Sequence, residues 1–269
     1  MDARAGGLGP GSIQDINQLP PEVAEALYVR LVPAELLERF RIDPRTLRGP
    51  RGERLVRITA PSDQDWARVE VRSAAADQDP ALLVDVQMSA LSVPELAFVQ
   101  ITDPERPRYG IDHDPEGRDT LFGTTSRNLE EEVRAMKDGL APGQVRPGLR
   151  LLPRVLETME EFCRLIGGEL FLIEPLFYHS AILYERRGCG YLLGRETMEA
   201  IHAGFAEGGD LRAALDSSSP FRQPGAELTA RGRSWALHDG VAGAAWGGVK
   251  MYKVAGREAG MDTFPGGRY

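Results

Sequence analysis

The sequence predicts an α+β fold in which a central mixed sheet begins as an antiparallel meander and is flanked by helices. Three observations carry that expectation. Partly alternating apolar segments recur between Leu55 and Asp103, with Pro, Ser, Asp and Gln in the turns between them. Leu152, Val155, Leu156, Met159, Phe162, Cys163 and Ile166 recur at three- and four-residue spacing, which gives one long helix a single buried face. The run ELFLIE (169–174) is apolar on both faces, as a strand covered on both sides must be.

Taken in order, residues 1–18 are Gly-rich and polar and read as a flexible N-terminal arm, leaving 19–269 as a single α+β domain. Val23, Ala26, Leu27, Leu31, Leu36, Leu37 and Phe40 fit a helix pair hinged near Pro33. Strands are expected at 55–60, 66–73, 81–89 and 95–103, and a further short one at TLFGTT (120–125). RNLEEEVRAMKDG (127–139) has acidic residues in its first turns, Lys137 near its end and Gly139 as a stop, the charge order of a helix. Gly167-Gly168 closes the long helix. Beyond Gly194, ETMEAIHAGF and DLRAALD form a helical insertion before a last strand in WGGVKMYKV.

Composition narrows the function. The chain has 269 residues, 42% of them hydrophobic, enough to bury a sizeable core. A net charge of −8 argues against nonspecific nucleic-acid binding, which needs a basic surface. Lysine occurs only at Lys137, Lys250 and Lys253, so an arginine-lined phosphate site is one reading of the basic residues. Cys163 and Cys189 make no disulfide framework. With no apolar leader and no membrane-length run, the expected setting is cytoplasmic, with a small-molecule ligand and no membrane partner.

The stretch Gly148–Gly190 holds a Gly-opened amphipathic segment (GLRLLPRVLETMEEFCRLIGG), the strand ELFLIE and the run HSAILYERRGCG. This order resembles the GNAT acetyltransferase superfamily, and SAILYERRGCGY resembles its AxxLYEKLGF run. The resemblance covers roughly residues 140–192. It implies a GNAT-like sheet and an acyl-CoA-dependent acyltransferase using acetyl-CoA or another acyl-CoA, with the acceptor undefined. Its phosphate turn falls on Gly148-Leu149-Arg150, with Gln144 and Arg146 one residue either side of its donor position as the further candidate cofactor-binding residues, and its thiolate-protonating tyrosine falls on Tyr184. The sequence departs from the family pattern at four positions: Val145 stands where Gln or Arg is usual, Arg150 at a small-residue position, Phe177 for an asparagine and Cys189 for a phenylalanine. Glu174, at the end of the central strand, is the candidate base, because strand ends open into the clefts of such sheets.

Alternatives stay open. His179, Glu185, Glu199, His202 and His238 form a possible His/carboxylate metal set of the kind iron or manganese takes, with Glu199 and His202 one turn apart on a helix. Asp112, Asp114, Glu116 and Gly117 match the opening of a calcium loop, but its twelfth position is Gly123. Cys189 beside Arg186 and Arg187 is a candidate thiolate nucleophile. RGRSWALHDG, FRQPGAE and GTTSRNLEEE are polar, turn-rich segments suited to noncatalytic ligand binding.

Overall fold

A computed structural model describes residues 9–121, 123 and 125–269. Its elements run α1 (Ile13–Asn17), α2 (Pro21–Tyr28), α3 (Ala34–Arg39), β1 (Val56–Thr59), β2 (Trp66–Val71), β3 (Leu82–Met88), β4 (Pro94–Ile101), α4 (Leu129–Lys137), α5 (Leu152–Leu165), β5 (Leu170–Ile173), α6 (Tyr178–Glu185), β6 (Gly190–Leu193), α7 (Arg195–Gly204), α8 (Asp210–Ala213), α9 (Ala230–His238) and β7 (Lys250–Val254). The strands make one mixed sheet in the order β1-β2-β3-β4-β5-β7-β6. β1 to β4 pair antiparallel in sequence order, the expected meander, and β4 pairs parallel with β5. Helices α7 to α9 stand between β6 and β7, as the expected insertion does.

The described residues form two compact units. The first holds the described residues up to Pro104, with Gly148–Ile173 and Tyr252–Arg257; the second holds Glu105–Pro147, Glu174–Met251 and Glu258–Tyr269.

In the first unit, alternation does what the pattern predicts. Val69, Val71, Leu82, Val84 and Val86 of β2 and β3 are buried, as are Leu31, Leu36, Met159 and Phe162. Tyr28 stacks on Phe162 at 5.8 Å between ring centres. Burying one such side chain is worth about 1.5–3 kcal/mol. On the solvent face, Arg68 and its cross-strand partner Asp85 form a two-point ion pair at 2.7 and 2.6 Å. The arm expected over 1–18 ends early: Ile13 and Ile16 of α1 are fully buried and Ser12 caps the helix. Asn17 explains why α1 docks, since its amide nitrogen reaches the carbonyls of Pro61, Gln64 and Trp66 at 2.9–3.1 Å.

The second unit departs further from expectation. Residues 120–125 form no strand among the described residues: Thr120, Gly123 and Thr125 are joined by turn bonds, and Phe122 and Thr124 lie outside the description. RGRSWALHDG, read as turn-rich, is helix α9, with Thr229 as N-cap and Trp235 buried. Trp235 donates to the Leu140 carbonyl at 2.8 Å and stacks on Phe221. Tyr109, Ile111, Ala135, Leu140 and Val145 make a second apolar cluster.

Candidate functional site

The glycine turn expected to open the long helix lies in the first unit, at the far end of β4. β4 pairs with β5 only at Glu95–Leu172 and Leu96–Ile173. Ala97–Ile101 therefore runs on for five residues, about 16 Å, past the last position β5 reaches. Gly148 meets the end of that strand: a Cβ there would stand 3.0 Å from the Ile101 carbonyl oxygen. The helix opens four residues later than Gly148, at Leu152. Between them Arg150 adopts a left-handed backbone (φ 60°), a conformation that costs a non-glycine residue roughly 1–2 kcal/mol.

The N-cap of α5, Leu151, supplies no side-chain bond, so the first helical N–H groups are left for other partners. Pro153 removes one of them, and Leu152 and Arg154 keep theirs. The Arg154 guanidinium is held by Glu35 (2.8 Å) and Glu157 (2.6 Å). Arg150, by contrast, is exposed and bonds no described residue through its side chain.

Gln144 and Arg146 belong to the second unit and bond locally there. Gln144 Oε1 accepts from the Ala141 N–H at 2.8 Å, and Arg146 donates to the Arg106 carbonyl. Val145, between Gln144 and Arg146, is buried in the Tyr109–Leu140 cluster. That core role accounts for an apolar residue at this position.

Tyr184 and Glu174 also lie in the second unit. α6 is buried almost all round, at Tyr178, His179, Ala181, Ile182, Tyr184 and Glu185, so it shows no amphipathic stripe. Burial pushes the Tyr184 phenol well above its ordinary pKa. Glu174, expected as the base, is a surface carboxylate with its side chain 60% exposed and Lys250 3.9 Å away. Cys189 is fully buried, a poor setting for a nucleophile.

The proposed metal ligands are dispersed among other partners. Glu185 accepts from the Thr263 N–H (2.7 Å), the Thr263 hydroxyl (2.8 Å) and the Tyr191 hydroxyl (2.6 Å). Glu199 pairs with Arg195 on the surface, one turn away. His202 Nδ1 meets Arg233 at 3.2 Å, and His179 Nδ1 meets Ser234 at 3.0 Å. His238 Nε2 faces Glu132 at 3.3 Å. Among the described residues no three His, Cys, Asp or Glu side chains converge as a metal site. The calcium-like loop is likewise closed on itself: Asp114 accepts from the Glu116 and Arg118 N–H groups and from the Arg118 side chain, and Asp112 pairs with Arg108.

Sequence reasoning missed the densest charge network of the second unit. Arg127 joins Glu132 and Asp239, Arg222 also binds Asp239, and His238 completes Glu132. The three polar segments read as binding loops are thus tied to one another. Burial would raise the Glu132 carboxyl, but bonds from His238 and Arg127 outweigh it and hold the group below the usual range. Asp239 is lowered against its own burial in the same way, by Arg127, Ser219 and Arg222. Burial dominates at His179 and drives its pKa down to about 3, so its imidazole stays neutral at physiological pH. The only sequence signal was the pairing of an acidic helix start with isolated arginines, which occurs on many solvated surfaces.

Comparison with protein-family models, curated proteins and solved structures finds no match. Among the described residues no helix is long and apolar enough to cross a membrane.

Proposed function

We propose that this chain is an acyl-CoA-dependent acyltransferase-like protein whose coenzyme A binds at the open end of β4 and the uncapped start of α5. One observation carries the reading: β4 outruns its parallel partner by five residues at the end where the Gly148–Leu151 turn delivers an uncapped helix N-terminus. A helix start with free N–H groups suits a pyrophosphate, and an unbonded arginine beside it adds a charged, planar donor. The β4 backbone past Leu96 suits the amides of an extended pantetheine arm, by the chemistry that adds a strand to a sheet edge.

Arg150 and the N–H groups of Leu152 and Arg154 would hold the phosphates. Pro153 leaves this donor set one short. The bound group supplies an activated thioester. Tyr184 is the candidate proton donor by resemblance, and its buried phenol keeps its proton across the physiological range. Glu174, the candidate base, is exposed beside Lys250, and the acceptor stays unnamed.

A second reading, a noncatalytic ligand-binding member of the same fold, is favoured by one specific observation. The candidate acid is buried and the candidate base lies on the surface.

Titration calorimetry with coenzyme A and acetyl-CoA separates these readings from rejection of both. Binding in the micromolar range, weakened at least tenfold in Arg150→Glu, is the expected result. Absence of binding to the folded wild-type chain overturns the proposal. Thiol release from acetyl-CoA with a panel of amine and hydroxyl acceptors then distinguishes transfer from binding alone.

A further inference from the structure

Glu258–Tyr269 has no helix or strand of its own, and a lone bridge between Thr229 and Arg268 joins it to the start of α9. Of its twelve residues only Thr263 and Phe264 are buried. Both insert over charged groups of α6 and α9.

Glu185, 4% exposed, receives two of its three hydrogen bonds from Thr263 and makes no ion pair with a described basic residue. Arg233, also 4% exposed, donates to the Glu227 carbonyl at 2.7 Å and contacts Tyr178 Oη (3.4 Å) and His202 Nδ1 (3.2 Å). No described carboxylate pairs with it; the Phe264 ring covers its guanidinium at 3.8 Å and Phe205 lies 5.1 Å away. A buried carboxylate and a buried guanidinium, each without a direct countercharge, are costly to keep, and apolar residues of similar volume would pack at least as stably. A role in binding a partner accounts for both.

Thr263-Phe264 meets them as a ligand would. A backbone N–H and a hydroxyl engage the carboxylate, and the next side chain lays an aromatic ring on the guanidinium. Gly260 and Gly266, both with positive φ, flank the inserted pair. Gly267 leaves room for the ring, since a Cβ there would come within 2.3 Å of Phe264.

We propose that the α6–α9 groove is a peptide-binding groove which the chain's own 262–269 segment occupies as a displaceable strap. Its ligand is an extended peptide with a hydroxyl residue followed by an aromatic one. Arg186, which donates to the Gly267 carbonyl at 2.6 Å, and the Ala230 N–H, which donates to the Arg268 carbonyl at 2.7 Å, hold the backbone beyond the pair. The proposal is independent of the coenzyme A reading.

The probe is a fluorescent synthetic peptide of residues 261–269 with blocked ends, read by anisotropy against the full chain. The double variant Thr263→Val, Phe264→Ala weakens the strap and is expected to bind the peptide at least tenfold more tightly than wild type. The same peptide carrying both substitutions is expected to bind neither chain. Failure of the variant, shown folded by circular dichroism, to bind the peptide overturns the proposal. Hydrogen exchange on the wild-type chain decides it even if the variant does not fold. Exchange at Thr263 and Phe264 at least a hundredfold faster than in α6 and α9 supports a displaceable strap. Equal protection makes the segment a fixed part of the core and overturns it.

Discussion

The two units dispose of their charges in opposite ways. In the first, the buried acidic and basic residues among those described are Glu95 and Lys253, and most ion pairs, such as Arg68–Asp85 and Arg54–Glu25, are partly exposed. In the second, Asp114, Glu132, His179, Glu185, Glu227 and Arg233 are all buried. A core built by alternation needs no charge, whereas a core built from loops and short helices must satisfy many backbone and side-chain polar groups internally. The second unit therefore rests on polar networks that fail when one member is removed. The first unit rests mainly on buried apolar area.

The largest effect should come from breaking the buried network. Glu132→Ala leaves His238 without its carboxylate and Arg127 with Asp239 alone, and a buried pair broken on one side costs about 3–5 kcal/mol. Urea unfolding followed by tryptophan fluorescence reads this directly, because Trp235 lies 5.9 Å from His238 between ring centres. A loss under about 1 kcal/mol would mean that the network is solvated, and the contrast between the units would fall.

Next comes pH. His179 is held neutral by burial, with Arg231 and His238 adding repulsion, so its folded pKa lies near 3 against an ordinary 6.5. The unfolded chain binds the proton first as pH falls. Stability is therefore whole above about pH 6.5 and declines as pH drops toward 3. At pH 5 the loss from this residue is about 2 kcal/mol. Thermal melts of His179→Gln should show a flatter dependence between pH 7 and 5, whatever the variant's absolute stability. Glu132 adds to acid sensitivity lower down, because its depressed carboxyl loses its contribution as pH falls through the folded value.

These contrasts also explain what the sequence could show. The meander was legible because each strand of the first unit has one buried face, and α5 because its buried residues repeat at helical spacing. Helix α9 was not, because its buried residues include Arg233 and Ser234, which no hydrophobic pattern flags. The strand β6 hid because it has four residues with Leu192 and Leu193 facing solvent. The two units were invisible because their segments interleave along the chain. Of the candidate site residues, Gly148 and Arg150 lie on the turn at the end of β4, while Gln144 and Arg146 are used in local bonds. Spacing alone could not tell a donor used locally from one left over.

A smaller effect is expected from the surface of the first unit. Arg68→Ala removes a well-aligned but solvent-facing pair, and the loss should stay below about 1 kcal/mol and shrink in high salt. A loss as large as that of Glu132→Ala would erase the distinction between the units.

The smallest change carries the most functional weight, and its sign is reversed. Arg150 holds a left-handed backbone that glycine adopts without cost, and its side chain bonds no described residue. Arg150→Gly should therefore leave stability unchanged or raise it by up to about 1 kcal/mol in the same urea titration. If the guanidinium is there for a phosphate, coenzyme A affinity must fall at least tenfold in that stabilised variant. Strain kept where it lowers stability but serves binding is the pattern of a working site. A variant that gains stability and keeps its affinity would show that Arg150 plays no part in binding. The reading would then rest on the α5 N–H groups alone.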